Sequence, residues 1–336
     1  MKRSVFLVLS LALCCLLAVN PARAAEAETA PQGLEGEILL RVSSLDLTLV
    51  GDQEDVYAGS LPREAVTWQS GNPEIVTFEN GVLTATGVGS TTVSASYEGK
   101  KAEIPVSCLA EDRETLLKLS PEILQKPKRQ PPVVTPDNRQ AFGNAALIGD
   151  SQSYVLFQYQ MTGNDLGDMV YMTRAGVTVR SLEEHYKELR YMGQDGHIED
   201  LIRESGVKKA FFMLGQGDLE AMTPQKTLDT LDTLLDRILE KSPDLKIYLQ
   251  SPFPEYGEGT ETLERNETLR QYRELLKAFC EEKGYQYVEV GAYGENHLGN
   301  LAEAYHADQI HLNTTGCTAW IRALKAHMQA EALQKP

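Results

Sequence analysis

The stretch LIGDSQS, residues 147–153, decides how the second half of this chain folds. Leu147 and Ile148 belong to a short apolar run, AALIG at 145–149, and Asp150 and Ser151 follow at once. A continuous apolar run of this length reads as a strand buried on both faces. An acid and a serine directly after it offer side-chain oxygens to the free amides of a helix start. The stretch therefore predicts a strand, a tight turn and a helix, with Ser151 either an ordinary cap or a side chain held out for chemistry. From Ala141 the alternation recurs: MVYM (169–172), KAFFML (209–214), LKIYLQ (245–250) and YQYVEV (285–290) are separated by turns and by HIEDLIRESG, TPQKTLDTLDTLLDRILEKS and ETLERNETLRQYRELLKAFCEEKG. Buried runs alternating with amphipathic helices imply βαβ units, hence a parallel sheet covered on both faces. Such sheets gather ligands at the carboxyl ends of their strands.

Several polar groups fall at those ends. Ser151 follows the first strand, Gly176 in RAGVTV the second, and Gly215-Gln216-Gly217-Asp218 the third. Asp308 and His311, in HADQIHLNTTG, precede a last helix that starts near Asn313 or Thr314. A serine hydroxyl becomes a nucleophile when a base removes its proton and a third group orients that base. His311 is the candidate base and Asp308, three residues earlier, the candidate orienting acid. Each feature alone has a plain reading, a helix cap or a surface turn, but their joint placement favours catalysis. His306, Asp308 and His311 also spell H-x-D-x-x-H, yet no other ligand-rich segment completes a metal site. Neither a metal nor any other cofactor is expected. Asn266 and Asn313 open N-x-T patterns, read here as idle.

The region from Asn144 to about Leu333 resembles an SGNH (GDSL-type) hydrolase. GDSQS stands for the first block, the glycine of RAGVTV for the second, and the D-x-x-H of DQIHL for the last. The resemblance implies a three-layer α/β/α, flavodoxin-like α/β fold over residues 141–333. It also implies a triad of Ser151, His311 and Asp308, with the N–H groups of Ser151 and Gly176 facing the oxyanion. The third block departs from the family pattern G-x-N-D, because Gly217 occupies the asparagine position and offers no side-chain donor to the oxyanion hole. Gln216, one residue away, carries the right amide. Gly163-Asn164-Asp165 lies before the second strand and is no substitute. The implied activity is hydrolysis of an ester, first an O-acetyl group on a carbohydrate and second a lipid ester. A small-molecule or polysaccharide ester is the expected partner. Tyr154, Phe157, Phe253, Tyr256 and Tyr293 sit near strand ends, and Tyr154 and Phe253 join Gln216 as candidate substrate contacts. The competing reading is a degenerate SGNH-fold surface protein that binds glycan without turning it over.

The first third reads differently. From Gly36 to Cys108 short alternating runs lie between Gly and Asn turn signals, which predicts a small antiparallel sandwich with Trp68 as core anchor. The residues VTWQSGNPEIVTFENGVLTATGVGSTTVSASYEGKKAEIPVSC resemble bacterial immunoglobulin-like domains of group 2. That resemblance implies a spacer or adhesive module over 36–108, with a cell-surface glycan as its candidate contact. Residues 109–140 form a linker, with a helix over RETLLKLSPEILQ and then a Pro-rich stretch stiffened by Pro127, Pro131, Pro132 and Pro136. Residues 1–24 have the layout of a secretory signal peptide: Lys2 and Arg3, an apolar run from Val5 to Val19, and Ala22-Arg23-Ala24. Cleavage there predicts a secreted or cell-surface protein with no membrane span; the alternative is an uncleaved membrane anchor, for which the run is short. Cleavage also removes three of the 32 basic residues and none of the 48 acidic ones, moving the formal charge from −16 to −19. A surface this acidic repels phosphate backbones, so nucleic acid is not an expected partner. Cys108, Cys280 and Cys317 remain, too few for a disulfide framework. A bridge between Cys280 and Cys317 is open, and two separate core thiols is the preferred reading.

Overall fold

The structure is a computed structural model that describes residues 38–56, 61, 65–79, 81–134 and 137–334. The expected signal segment, residues 1–24, lies outside the described residues. The chain begins with seven strands: β1 (Ser44–Leu49), β2 (Gln53–Asp55), β3 (Thr67–Ser70), β4 (Val76–Glu79), β5 (Val82–Ala85), β6 (Gly89–Tyr97) and β7 (Lys100–Ala110). Then come single-turn helices α1 (Arg113–Leu116) and α2 (Pro121–Leu124), and a short strand β8 (Arg129–Gln130). The strands form one sheet in the order β3-β6-β7-β1-β8 and a second in the order β2-β5-β4. Period-two alternation turns Leu45, Leu47, Val93, Ala95, Ile104 and Val106 inward from the first sheet, where they meet Val76, Leu83 and Ala85 of the second. Trp68 is only half-buried; it stacks on Phe78 across the two sheets at 4.4 Å. The sheet is not wholly antiparallel as expected, since β1 pairs with β7 in parallel, Leu45 opposite Val106.

The segment after it is built into both halves. The expected helix over RETLLKLSPEILQ is two separate turns, because Pro121 lacks the N–H a continuous helix would need and instead opens α2. Pairing persists through the Pro-rich stretch at its non-proline residues: Arg129 and Gln130 pair with Leu45 and Ser44. On the other side Lys128 N–H donates to Glu295 O at 2.8 Å. Tyr293 OH donates to Arg41 O at 2.7 Å, and Thr48 Oγ1 lies 3.1 Å from His297 Nδ1.

The second half follows as β9 (Ala145–Gly149), α3 (Ser151–Gly163), β10 (Val170–Thr173), α4 (Val179–Glu183), β11 (Leu189–Tyr191), β12 (Gln194–Gly196), α5 (Ile198–Ser205), β13 (Lys209–Met213), α6 (Pro224–Lys241), β14 (Lys246–Gln250), α7 (Thr260–Lys283), β15 (Gln286–Val288) and α8 (Thr314–Gln334). The sheet order is β12-β11-β10-β9-β13-β14-β15. Its strands β10, β9, β13, β14 and β15 are parallel, while β11 and β12 form an antiparallel hairpin at one edge. Alternate residues of each parallel strand enter opposite cores. Leu147, Phe211 and Tyr248 face α3 and α8, whereas Ala146, Ile148, Phe212 and Leu249 face α4, α5, α6 and α7. Cys280 and Cys317 belong to these two different cores and are both free. Burial pushes each thiol up to about 12. Among the described residues, no helix is long and apolar enough to cross a membrane.

Candidate active site

The chain leaves β9, adds β10 on one side and later β13 on the other, so β9 and β13 flank a point where strand order reverses. Crevices form there, outside the carboxyl ends of the strands. The register brings Gly149, Thr173 and Met213 level, which places the three loops that follow side by side.

Gly149 is required by close approach. A Cβ there would fall 2.3 Å from Ser153 Oγ and 2.4 Å from Met213 O, so only glycine lets α3 start directly on the sheet. Asp150 caps that helix, its Oδ1 accepting from Gln152 N–H at 3.0 Å. Ser151 is thereby the first residue of α3, with an N–H that has no carbonyl to bond within the helix. Gly176 has φ of +73° and sits in the loop between β10 and α4.

The loop before α8 carries Asp308 and His311. His306 and Leu312 form an isolated antiparallel bridge, which closes the intervening residues into a tight loop. Within it Asp308 Oδ1 accepts from Ile310 N–H at 2.8 Å and His311 N–H at 2.7 Å, while Oδ2 lies 2.8 Å from His311 Nδ1. Burial would raise the Asp308 carboxyl, but the two N–H groups and the His311 ring outweigh it and hold it at about 2. The carboxylate therefore fixes the ring by Nδ1 and leaves Nε2 to act. Gln152 joins this loop to the serine's helix by donating from Nε2 to Ile310 O. Sequence reading missed Gln152; its signal was an amide side chain beside the serine that the fold buries to 2% exposure.

Asp218 falls at the end of the third strand as expected, but its role was not legible. It is 3% exposed and accepts from Val179 N–H at 2.8 Å and Arg180 N–H at 3.0 Å, so it caps α4 from the end of β13. The third block thus holds the Gly176 loop in place even though it lacks the asparagine. Positive φ falls on Gly215 (+107°), where a Cβ would run into the Tyr272 ring. Gly217 is exposed and meets only Thr178 Cγ2, at 3.4 Å. Gln216 keeps its Nε2 buried and without a partner among the described residues, so it does not present its amide to the open site as it stands.

The aromatic candidates separate by burial. Phe253 is 1% exposed and packs edge-on against Trp320 at 5.4 Å, which removes it from the substrate contacts. Tyr293 is 8% exposed with its hydroxyl on Arg41, and is likewise structural. Tyr154 is 40% exposed, one turn along α3 from Ser151, and Phe157 lies between it and Tyr171. Tyr256 stacks face to face with His306 at 3.5 Å, on the loop that carries Asp308 and His311. Among the described residues no group of three or more His, Cys, Asp or Glu side chains is placed to hold a metal. Asn266 is buried and bonded to Glu255 and Asn300, and Asn313 caps α8 through Thr315 and Gly316 N–H, so neither side chain is open to modification.

Burial, opposed by the Gln152 and Ser153 amides and by His311, pushes the Asp150 carboxyl up to about 6. A raised carboxyl keeps a proton in the folded state that the unfolded chain has already lost. Stability therefore falls as pH rises from about 4 to about 6, by at most about 3 kcal/mol from this group. Asp150→Asn keeps an oxygen for the cap and removes the charge. It is expected to melt with the native protein near pH 4 and several degrees above it at pH 7, a difference that thermal unfolding at the two pH values checks.

Residues 163–319 match the model of the GDSL-like Lipase/Acylhydrolase family, a range that begins after Ser151 and includes Gly176, Gly217, Asp308 and His311. The search of curated proteins found no match. Among solved structures, a GDSL-like lipase from Bacteroides thetaiotaomicron is 12% identical with a TM-score of 0.43, over 55% of this chain and 86% of that one. A catalytic mutant of an acetylxylan esterase from Geobacillus stearothermophilus is 24% identical with a TM-score of 0.37, over 55% and 93%. A carbohydrate esterase of family 3 from Talaromyces cellulolyticus is 10% identical with a TM-score of 0.40, over 54% and 93%. Residues 163–319 are thus similar to GDSL-like lipases and acylhydrolases, and the protein is an enzyme that acts on ester bonds.

Proposed function

We propose that Ser151 is the nucleophile, His311 its base and Asp308 the residue that orients the base. The observation that carries this reading is the 2.8 Å contact of Asp308 Oδ2 with His311 Nδ1, on a loop that Gln152 fastens to the serine's own helix. His311 Nε2 takes the Ser151 proton as Oγ attacks the ester carbonyl. The oxyanion forms against the N–H groups of Ser151 and Gly176. Collapse gives the acyl-serine and the alcohol, which leaves with the proton from His311. Water, activated by the same ring, then releases the acid.

The substrate we propose is an O-acetyl ester on a carbohydrate. The exposed Tyr154 and the Tyr256–His306 stack support it, since flat aromatic faces beside the scissile group suit a sugar ring. The N-terminal strands are proposed to form an immunoglobulin-like group 2 module over residues 36–108, with export directed by residues 1–24. The β-rich segment and the charge pattern of the leader support those parts. A fluorophosphonate probe tests the centre of the proposal. Mass spectrometry should find the label on the peptide carrying Ser151; folded protein that takes no label, or takes it elsewhere, overturns the assignment.

A further inference from the structure

The oxyanion site lacks the donor that position 217 would supply, yet a cation lies close by. Lys187 follows α4, and the antiparallel pairing of β11 with β10, Arg190 opposite Thr173, returns it to the carboxyl edge of the sheet where Gly176 stands. Its backbone N–H donates to Ser181 O at 3.2 Å, which ties the segment to α4. The side chain is exposed, and its ammonium donates to the Gly176 carbonyl. A Cβ on Gly176 would lie 3.4 Å from Lys187 Nζ, an ordinary contact distance, so the ammonium rests alongside that residue. Arg174 and Arg190 on the same edge are paired to Asp195, and Arg180 to Glu184. Lys187 has no such ion pair among the described residues, in a chain with 48 acidic residues to offer one. An exposed cation held on a backbone carbonyl beside a site of developing negative charge has an electrostatic use.

We propose that Lys187 supplies the positive charge that position 217 withholds. As the tetrahedral oxyanion forms against the Gly176 N–H, the ammonium on the same residue's carbonyl stabilises it. No bond is made to lysine and no proton leaves it. The inference rests on Ser151 as nucleophile, and the test separates the two. Lys187→Met and Lys187→Arg are made alone and in the Gly217→Asn background, with kcat, KM and melting temperature measured on a small acetyl ester. Lys187→Met should lower kcat about 10- to 100-fold with KM held within about two-fold, the mark of an interaction made in the transition state. Lys187→Arg should recover most of that loss. With asparagine at 217, Lys187→Met should cost less than about three-fold, because the missing donor has been restored. Unchanged kcat in Lys187→Met, or equal losses in both backgrounds, overturns the proposal. An active Ser151→Ala would instead overturn the nucleophile, whatever Lys187 does.

Discussion

Ser151→Ala, and separately His311→Ala, should lower kcat on a small acetyl ester by about 10⁴-fold or more, and the pair together by no more than either alone. Both should melt within a degree or two of the native protein. The cap of α3 comes from Asp150, so removing the Ser151 hydroxyl leaves the helix start intact. Truncating His311 removes a ring from an exposed loop whose shape is held by Asp308 on two backbone N–H groups and by the His306–Leu312 bridge. Initial rates with a chromogenic acetyl ester, beside thermal unfolding, check the expectation. Full turnover by Ser151→Ala would show that the hydroxyl is not the attacking group.

Gly217→Asn should raise turnover of small esters. One side-chain donor in an oxyanion site is worth about 2.7–4 kcal/mol, roughly a hundred- to a thousand-fold in kcat, and a ten-fold gain would already represent part of it. The backbone admits the change: positive φ is found at Gly215, and a Cβ at 217 meets a methyl group at ordinary van der Waals distance. Asp218, next along the chain, already fixes the loop against α4. A folded Gly217→Asn variant with native kcat would mean that the absent amide does not limit this enzyme.

The sequence was most legible where signals are local. AALIG, MVYM, KAFFML, LKIYLQ and YQYVEV announced β9, β10, β13, β14 and β15 because their apolar residues cluster in short runs, with β9, β13 and most of β14 buried on both faces. GDSQS and DQIHL were legible because each motif is contained in one turn. The edge hairpin β11–β12 was not, since its turn places Met192 and Gly193 at positive φ where Asn-Gly would have been the clear signal. The parallel pairing of β1 with β7 escaped for another reason: alternation shows which face is buried but not which neighbour a strand chooses. The role of Asp218 and the position of Lys187 depend on contacts between segments, and no spacing rule carries those. Phe253 shows the limit of placing aromatics at strand ends, because the same position served the core.

The pairing of β8 with β1 also bears on the order of events as the chain is made. Strand β1 begins at Ser44, and its partner on the outer side is Arg129–Gln130. Until those residues emerge, β1 shows a row of unsatisfied backbone groups, the kind of edge onto which another chain can add itself. The N-terminal sheet thus finishes only when synthesis has passed the Pro-rich stretch, and the bond from Lys128 N–H must then wait for Glu295, far downstream. Contacts so distant along the chain slow folding, and the half-made edge is where misassembly would start. The prolines around β8, at 127, 131 and 132, keep that late-arriving strand short and hard to extend, which limits what a stray strand can gain there.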